Sequence, residues 1–385
     1  MNKKLTVIDI FSGCGGMSWG LHKKGFKVIA ALDIWDVALK TFSINHPKAK
    51  TYCGDIREID PKIVLKDLDL KRGELTCLVG GPPCQGFSKN VPASYRFLDD
   101  SRNQLFNDYL DYVDALYPEV VVMENVAEIY NAFKGEVREQ VINRLEKMGY
   151  EVKVKVLFGP EYGIPQRRRR CFFFASRTGI KPIFPESTNS KTSEVDLFNS
   201  KPKFVSAWEA ISDLPSLKNG EGEFKMKYST TPKNSFQKLM RNGSKVLYNH
   251  ESKELKGKQL ERIKSIKAGQ GFKDLPKHLQ PKSGYSGAYG RLDFEKVAPT
   301  ITRWMFHIGS GRYGHPKDDR LITIREAARI QCFTDDFIFE GTYTEKSGQI
   351  GNAVPSLFMY HLAPKILECL ESEHATYQLP RQEVI

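Results

Sequence analysis

The chain has 385 residues, 40% of them hydrophobic and 27% charged, with a formal net charge of +12. These are the proportions of a soluble globular protein, and the length suits two domains better than one. No stretch approaches the ~20 apolar residues of a membrane span, and the first strand starts too early to leave room for a signal peptide.

The seven cysteines, at 14, 53, 77, 84, 171, 332 and 369, are odd in number and form no C-x-x-C pair. That pattern argues for a reducing, cytoplasmic setting and against a zinc site or a disulfide framework. The eight histidines show no metal-ligand spacing either, so no metal is expected. The charge is unevenly spread. Lys181 to Lys296 holds 22 Lys and Arg against 13 Asp and Glu, a local +9. A concentration of that kind favours a polyanionic partner.

Leu5 to Ile10 reads as a strand, Phe11-Ser12-Gly13-Cys14-Gly15-Gly16 as a glycine turn, and Met17 to His22 as a helix. Strand, glycine turn and helix open a nucleotide-binding α/β unit. Ser18 stands where a strict dinucleotide fingerprint has its third glycine, which disfavours a dehydrogenase. Val28 to Leu32 gives a second strand ending in Asp33, where a carboxylate can accept from both hydroxyls of a ribose. A third segment ends in Cys53-Gly54-Asp55-Ile56, and Asp55 could accept from an adenine amino group.

The apolar run Leu75 to Val79 leads into Gly80-Gly81-Pro82-Pro83-Cys84-Gln85-Gly86-Phe87-Ser88. Cys77, inside the run, reads as a small core residue. Burial does not call for two prolines before Cys84 or Gln-Gly after it, so that thiol reads as reactive, at the strand edge where open α/β sheets bind ligands. Leu105, Phe106, Tyr109, Val113 and Leu116 recur at helical spacing, with Pro118 beyond. Val120 to Met123 is a short buried strand followed by Glu124-Asn125-Val126. A carboxylate at such a place is costly unless paired or functional.

Val137 to Met148 reads as a helix and Val152 to Phe158 as a strand. Gln166-Arg167-Arg168-Arg169-Arg170 then runs directly into Cys171-Phe172-Phe173-Phe174. Strand alternation puts Arg168 and Arg170 on one face and Arg167 and Arg169 on the other. Glu186 to Ser200 has a linker composition, and the following Gly-, Lys- and aromatic-containing loops suit nucleic-acid contact. Trp208, Ile211 and Leu214 suggest a short helix. Thr323-Ile324-Arg325-Glu326 is a capping box opening a helix through Ile330. Gly348-Gln349-Ile350-Gly351-Asn352-Ala353-Val354-Pro355 precedes an apolar helix reaching about Leu370.

Pro-Pro-Cys-Gln-Gly-Phe-Ser, Glu124-Asn125-Val126, Gln166-x-Arg168-x-Arg170, Pro299 to Arg303 and Gly348 to Pro355 resemble, in order, the blocks of the DNA (cytosine-5)-methyltransferases of bacterial restriction-modification type. The resemblance implies a Rossmann-like α/β methyltransferase domain with a mixed, mostly parallel sheet, plus a smaller mixed α+β target-recognition domain. The boundaries expected are 1–178 for the catalytic and cofactor domain, 179–340 for the recognition domain and 341–385 for a segment returning to the first. It implies S-adenosyl-L-methionine as cofactor and S-adenosyl-L-homocysteine as product. The cofactor would be held by Phe11, Gly13, Cys14, Gly15, Gly16, Asp33, Ile34, Asp55, Ile56, Pro82, Leu105, Asn352 and Val354. Ile34 stands where many members carry an aromatic residue.

The implied reaction adds the Cys84 thiolate to C6 of a flipped-out cytosine, with Pro83 placing the thiol. Glu124 would serve N3, Arg170 the O2, and Arg168 the same pocket or an adjacent phosphate. Duplex DNA is the implied partner, with a cognate restriction endonuclease acting on the same site without a stable complex, and the enzyme a monomer. Methylation of tRNA at cytosine C5 is the alternative, since one branch of the family uses these blocks on RNA. A regulator that only bound DNA would not need Cys84, Glu124 and Arg170 together.

Overall fold

A computed structural model describes residues 5–83, 104–192, 201–282 and 287–371. Cys84 and the segment following it, to Arg102, lie outside the described residues, as do parts of the two expected loops at 193–200 and 283–286. The chain divides into two compact units. The first comprises residues 1–158, 169–186 and 358–385, and the second residues 159–168 and 187–357. Residues 159–168 thus join the second unit, and the last crossing falls at 358, inside a helix, where the sequence suggested 341.

The first unit is built on β1 (Thr6–Ile10), α1 (Gly16–His22), β2 (Lys27–Asp33), α2 (Asp36–Asn45), β3 (Lys50–Cys53), α3 (Pro61–Asp67) and β4 (Cys77–Gly80). It continues with α4 (Leu105–Leu116), β5 (Val120–Val126), α5 (Glu136–Lys147), β6 (Glu151–Phe158) and β7 (Arg169–Ser176). The seven strands form one sheet in the order β3-β2-β1-β4-β5-β7-β6. Only β7 runs antiparallel to its neighbours, β5 and β6. The strands between are near-continuous apolar runs because both faces of such a sheet are covered. Ile8, Ile10, Leu78, Val121, Met123 and Phe173 pack with Val64 of α3, Tyr109 and Val113 of α4, and Val137, Val141 and Leu145 of α5.

Strand order reverses between β1 and β4, whose parallel register pairs Ile10 with Gly80. A doubly wound sheet opens its ligand crevice at such a switch, beyond the carboxyl ends of the strands. The glycine turn leaves β1 there, and the Gly-Gly-Pro-Pro segment leaves β4 beside it.

The second unit contains α6 (Ala207–Ile211), β8 (Gly222–Lys227), α7 (Ser235–Arg241), β9 (Val246–Glu251), α8 (Lys258–Lys264), β10 (Gly290–Arg291) and β11 (Arg312–Gly314). It closes with α9 (Ile324–Ile330), α10 (Tyr343–Asn352) and the start of α11 (Ser356–Leu370), which from Phe358 belongs to the first unit. The capping box expected at Thr323 and Glu326 is present, and Thr342 with Glu345 forms a second one. The core of this unit is ionic as well as apolar. Arg320 meets Glu326 through two 2.8 Å bonds, and Arg329 bridges Asp213 and Asp335, all of them buried. Unpaired charges at such depth would cost several kcal/mol each, so the pairs come as closed sets.

Candidate active site

The site grows from the two chain segments that leave the sheet at the switch. After β1 the backbone turns sharply, with Phe11 at φ 58°, Gly13 at 52° and Gly15 at 96°. A Cβ on Gly15 would lie 2.8 Å from the Phe42 ring, so only glycine passes there, whereas one on Gly13 would meet open space. The turn is tied to the end of β2 by Asp33. Its carboxylate accepts from Gly13 N at 2.7 Å and from Trp35 N at 2.9 Å. Burial pushes the Asp33 carboxyl up from its ordinary value, and those amides oppose it. The twenty-residue spacing between glycine turn and acid is therefore a direct contact.

Ile34 beside it is 72% exposed, an apolar side chain presented to solvent rather than to the core. Ile56 is buried, and Gly16 opens α1 as a buried residue. The Asp55 carboxylate is gripped by Arg57, at 2.9 Å from Nε and 2.5 Å from Nη2, which holds its carboxyl down at about 2. Arg57 was not anticipated from the sequence. The Cys14 thiol is buried and pushed up by that burial, so what Cys14 offers a ligand is main chain. Leu105 starts α4 half-buried, and Pro82 is buried while Pro83 is exposed.

The second segment is fixed at three successive residues. A Cβ on Gly80 would fall 2.3 Å from Ile10 O and 2.8 Å from the Tyr109 ring. One on Gly81 would lie 3.0 Å from Glu124 Oε2, so the chain passes directly over that carboxylate. The carbonyl of Pro82 accepts from Asn125 Nδ2 at 3.1 Å, while Asn125 Oδ1 accepts from Val126 N at 2.8 Å. Cys84 follows Pro82 by two residues and lies outside the described residues.

Glu124 sits within β5, not beyond it, because the ladder to β7 runs on through Val126 and Arg170. Glu124 pairs with Phe172 and Val126 with Arg170, so Glu124 and Arg170 are diagonal neighbours on one face. Their side chains meet, Arg170 Nε lying 2.6 Å from Glu124 Oε1, with both largely buried. A carboxylate paired in this way beside a glycine backbone can present its other oxygen to a ligand's ring nitrogen.

Arg168 is buried and Arg170 half-buried while Arg167 and Arg169 are exposed, but β7 starts only at Arg169, so Arg168 does not share a strand face with Arg170. Arg168 belongs to the second unit, where its Nη1 and Nη2 donate to the carbonyls of Ile301 at 3.1 Å and Gly351 at 3.2 Å. Both terminal nitrogens thus donate to main chain of the second unit. Asn352 is the exposed last residue of α10, and Val354 is half-buried in the turn before α11, also in the second unit. Besides Arg57, sequence reading passed over Asn125. It stood directly after Glu124, and its signal was an amide near the end of a buried strand. Among the described residues no cluster of His, Cys, Asp and Glu could hold a metal ion, and no helix is long and apolar enough to cross a membrane.

A doubly wound sheet whose switch point carries a glycine turn and, on the adjoining strands, a buried acid–arginine pair is the scaffold of a ligand-binding α/β enzyme. The family description of C-5 cytosine-specific DNA methylases matches residues 5–368. The Type II methyltransferase M.DdeI of Desulfomicrobium norvegicum is 34% identical, over 94% of this chain and 88% of its own. Type II methyltransferase M.AgeI of Thalassovita gelatinovora is 32% identical, over 94% of this chain and 99% of its own. Among solved structures, a prophage-encoded DNA modification methyltransferase from E. coli superposes with a TM-score of 0.75 at 25% identity, covering 95% of this chain and 99% of that one. Spodoptera frugiperda DNMT2, at 16% identity and a TM-score of 0.59 over 94% and 99% of the chains, shares the fold. The chain belongs to the C-5 cytosine-specific DNA methylase family, and it is a DNA (cytosine-5)-methyltransferase.

Proposed function

We propose that the enzyme methylates C5 of a cytosine flipped out of duplex DNA, through a transient bond between Cys84 Sγ and C6. The observation that carries this reading is the Glu124–Arg170 pair, 2.6 Å apart, at the edge where Asn125 holds Pro82, two residues before Cys84. S-adenosylmethionine, when bound, supplies an electrophilic methyl on a sulfonium. Gly13 leaves open space for it, Asp33 ends its strand beside the turn, and exposed Ile34 offers an apolar surface. Phe11, Asp55 and Ile56 on the base and Asn352 and Val354 near the methionine portion complete the proposed set.

The residues divide the work as follows. The Cys84 thiolate adds to C6, and the ring electrons move toward N3 and C5. Glu124 shares a proton with N3, so the ring's new charge is neutralised where it develops. Arg170 keeps Glu124 in place and turns its remaining donors toward O2. Once C5 carries the methyl, its proton passes to water, Cys84 leaves C6 as the thiolate, and N3 returns its proton to Glu124. Such atoms are out of reach in a stacked duplex, which is why the nucleotide must leave the helix. The chain would act as a monomer, guarding a site that a cognate endonuclease cuts.

A duplex carrying 5-fluorocytosine at the target tests the adduct, because fluorine cannot leave C5 as the proton does. With S-adenosylmethionine present, wild type should yield a band shifted on a denaturing gel, and Cys84→Ser none. A Cys84→Ser variant that kept full methyl transfer would refute the assignment.

A further inference from the structure

The turn that follows Ile301 in the second unit is held from several sides. Arg168 bonds the carbonyls of Ile301 and Gly351, and Ile301 N donates to the buried Gln166 at 3.1 Å. Gly351 packs so closely that a Cβ there would stand 2.1 Å from Arg303 N. Met305 is buried and its amide donates to Thr302 O at 3.2 Å, while His307 N and the Ser310 hydroxyl both donate to Trp304 O. On this fixed backbone Trp304 is 53% exposed. The Arg303 guanidinium lies 5.2 Å from its ring centroid, the Phe306 ring 5.8 Å away, and the Lys253 ammonium 4.6 Å above Phe306.

A tryptophan gains most from burial, and a rigid turn could have tucked it inward as it does Met305. Aromatic faces carried outward between cations instead match the two features of nucleic acid, base or sugar faces and phosphates. We propose that this turn is a duplex-DNA contact element, Trp304 lying against bases or sugars while Arg303 and Lys253 meet the flanking phosphates. The element lies partly outside the Lys181–Lys296 segment whose charge first suggested a polyanion. It rests on the reading of duplex DNA as the substrate.

The test is binding of a fluorescent random-sequence duplex by the full chain, followed by anisotropy across a salt series. Trp304→Ala should weaken binding about tenfold, or about 1.4 kcal/mol, with the salt slope unchanged, and Trp304→Phe should retain most of the affinity. Lys253→Ala should lower the slope of log K against log salt by about 0.9, the loss of one phosphate contact. Duplex DNA should quench part of the tryptophan emission, and Trp304→Phe should abolish that part. Trp304→Ala with unaltered melting, affinity and quenching would overturn the proposal, as would weakened tRNA binding with duplex binding intact. Failure of the wild type to bind any duplex would instead remove the reading beneath it.

Discussion

Arg170→Ala separates the structural part of the buried pair from its chemical part. The variant leaves the Glu124 carboxylate under Gly81 without the guanidinium 2.6 Å away. Side-chain exposures of 18% and 9% make this a buried pair, so the discount for solvent screening is small. Removing one member of such a pair costs ~3–5 kcal/mol. The lower end is the better guide at a crevice edge, and ~3 kcal/mol corresponds to a fall of ~6–12 °C in the melting of the first unit. Glu124→Gln added to Arg170→Ala removes the stranded charge while keeping the shape. The double variant should therefore regain most of the lost melting temperature. Its activity should not return, because an amide cannot share a proton with N3, and a positioned acid contributes ~10²–10⁴-fold. The measurements are calorimetry and methyl incorporation, with exposed Arg169→Ala as a control expected within ~0.5 kcal/mol of wild type. Equal melting of the single and double variants would refute the pairing argument, whatever the activities.

Gly80→Ala should be destabilising by ~1–3 kcal/mol or more, because the new methyl would fall 2.3 Å from a main-chain oxygen; chemical denaturation reading like wild type would contradict the close packing of β4 on β1. Asp9 is buried against Ser18 Oγ at 2.6 Å, and burial raises its carboxyl from 3.8 to about 7. A folded-state value above the unfolded one means stability is fully present below about pH 4 and is lost as pH rises through about 7. Asp9→Asn should accordingly melt higher than wild type at pH 8 and lose that advantage toward pH 5, and a difference independent of pH would disprove the linkage. Asn125→Ala should lower the turnover rate more than the apparent affinity for duplex, since it frees the Pro82 carbonyl two residues before Cys84; an effect confined to affinity would argue against a positioning role.

What could be read from the sequence was whatever depends on one strand and the turn at its end. The apolar runs, the glycine turn and Asp33 at the end of its strand follow from local periodicity and spacing and lie where they were expected, whereas the bond from Gly13 N to the Asp33 carboxylate was not anticipated. Glu124 was placed past the end of its strand because a carboxylate breaks an apolar run. The structure keeps it inside β5, since the ladder partner two residues along supplies Arg170. The helix Tyr343–Asn352 was missed although Thr342 and Glu345 spell a capping box, because Gly348 and Gly351 look like helix breakers. Gly351 is a glycine for another reason, the approach of Arg303 from a distant segment. The division of Arg168 and Arg170 between two units depends on where the chain crosses over, which neither alternation nor charge encodes.

The antiparallel strand explains why the motifs stand where they do along the chain. In a parallel sheet every strand delivers its carboxyl end to the same edge, so the groups of the crevice follow their strands: the glycine turn follows β1, Asp33 ends β2, and Pro-Pro-Cys follows β4. A strand running the other way brings its amino end to that edge. Arg170 therefore lies at the start of β7, and its arginine cluster precedes an apolar run instead of succeeding one. Had β7 been parallel, Arg170 would lie at the far edge of the sheet, a strand's length from Glu124. The reversal thus does chemical service: it sets a guanidinium against a carboxylate 46 residues earlier, which no pair of parallel strands could do with a motif in that position.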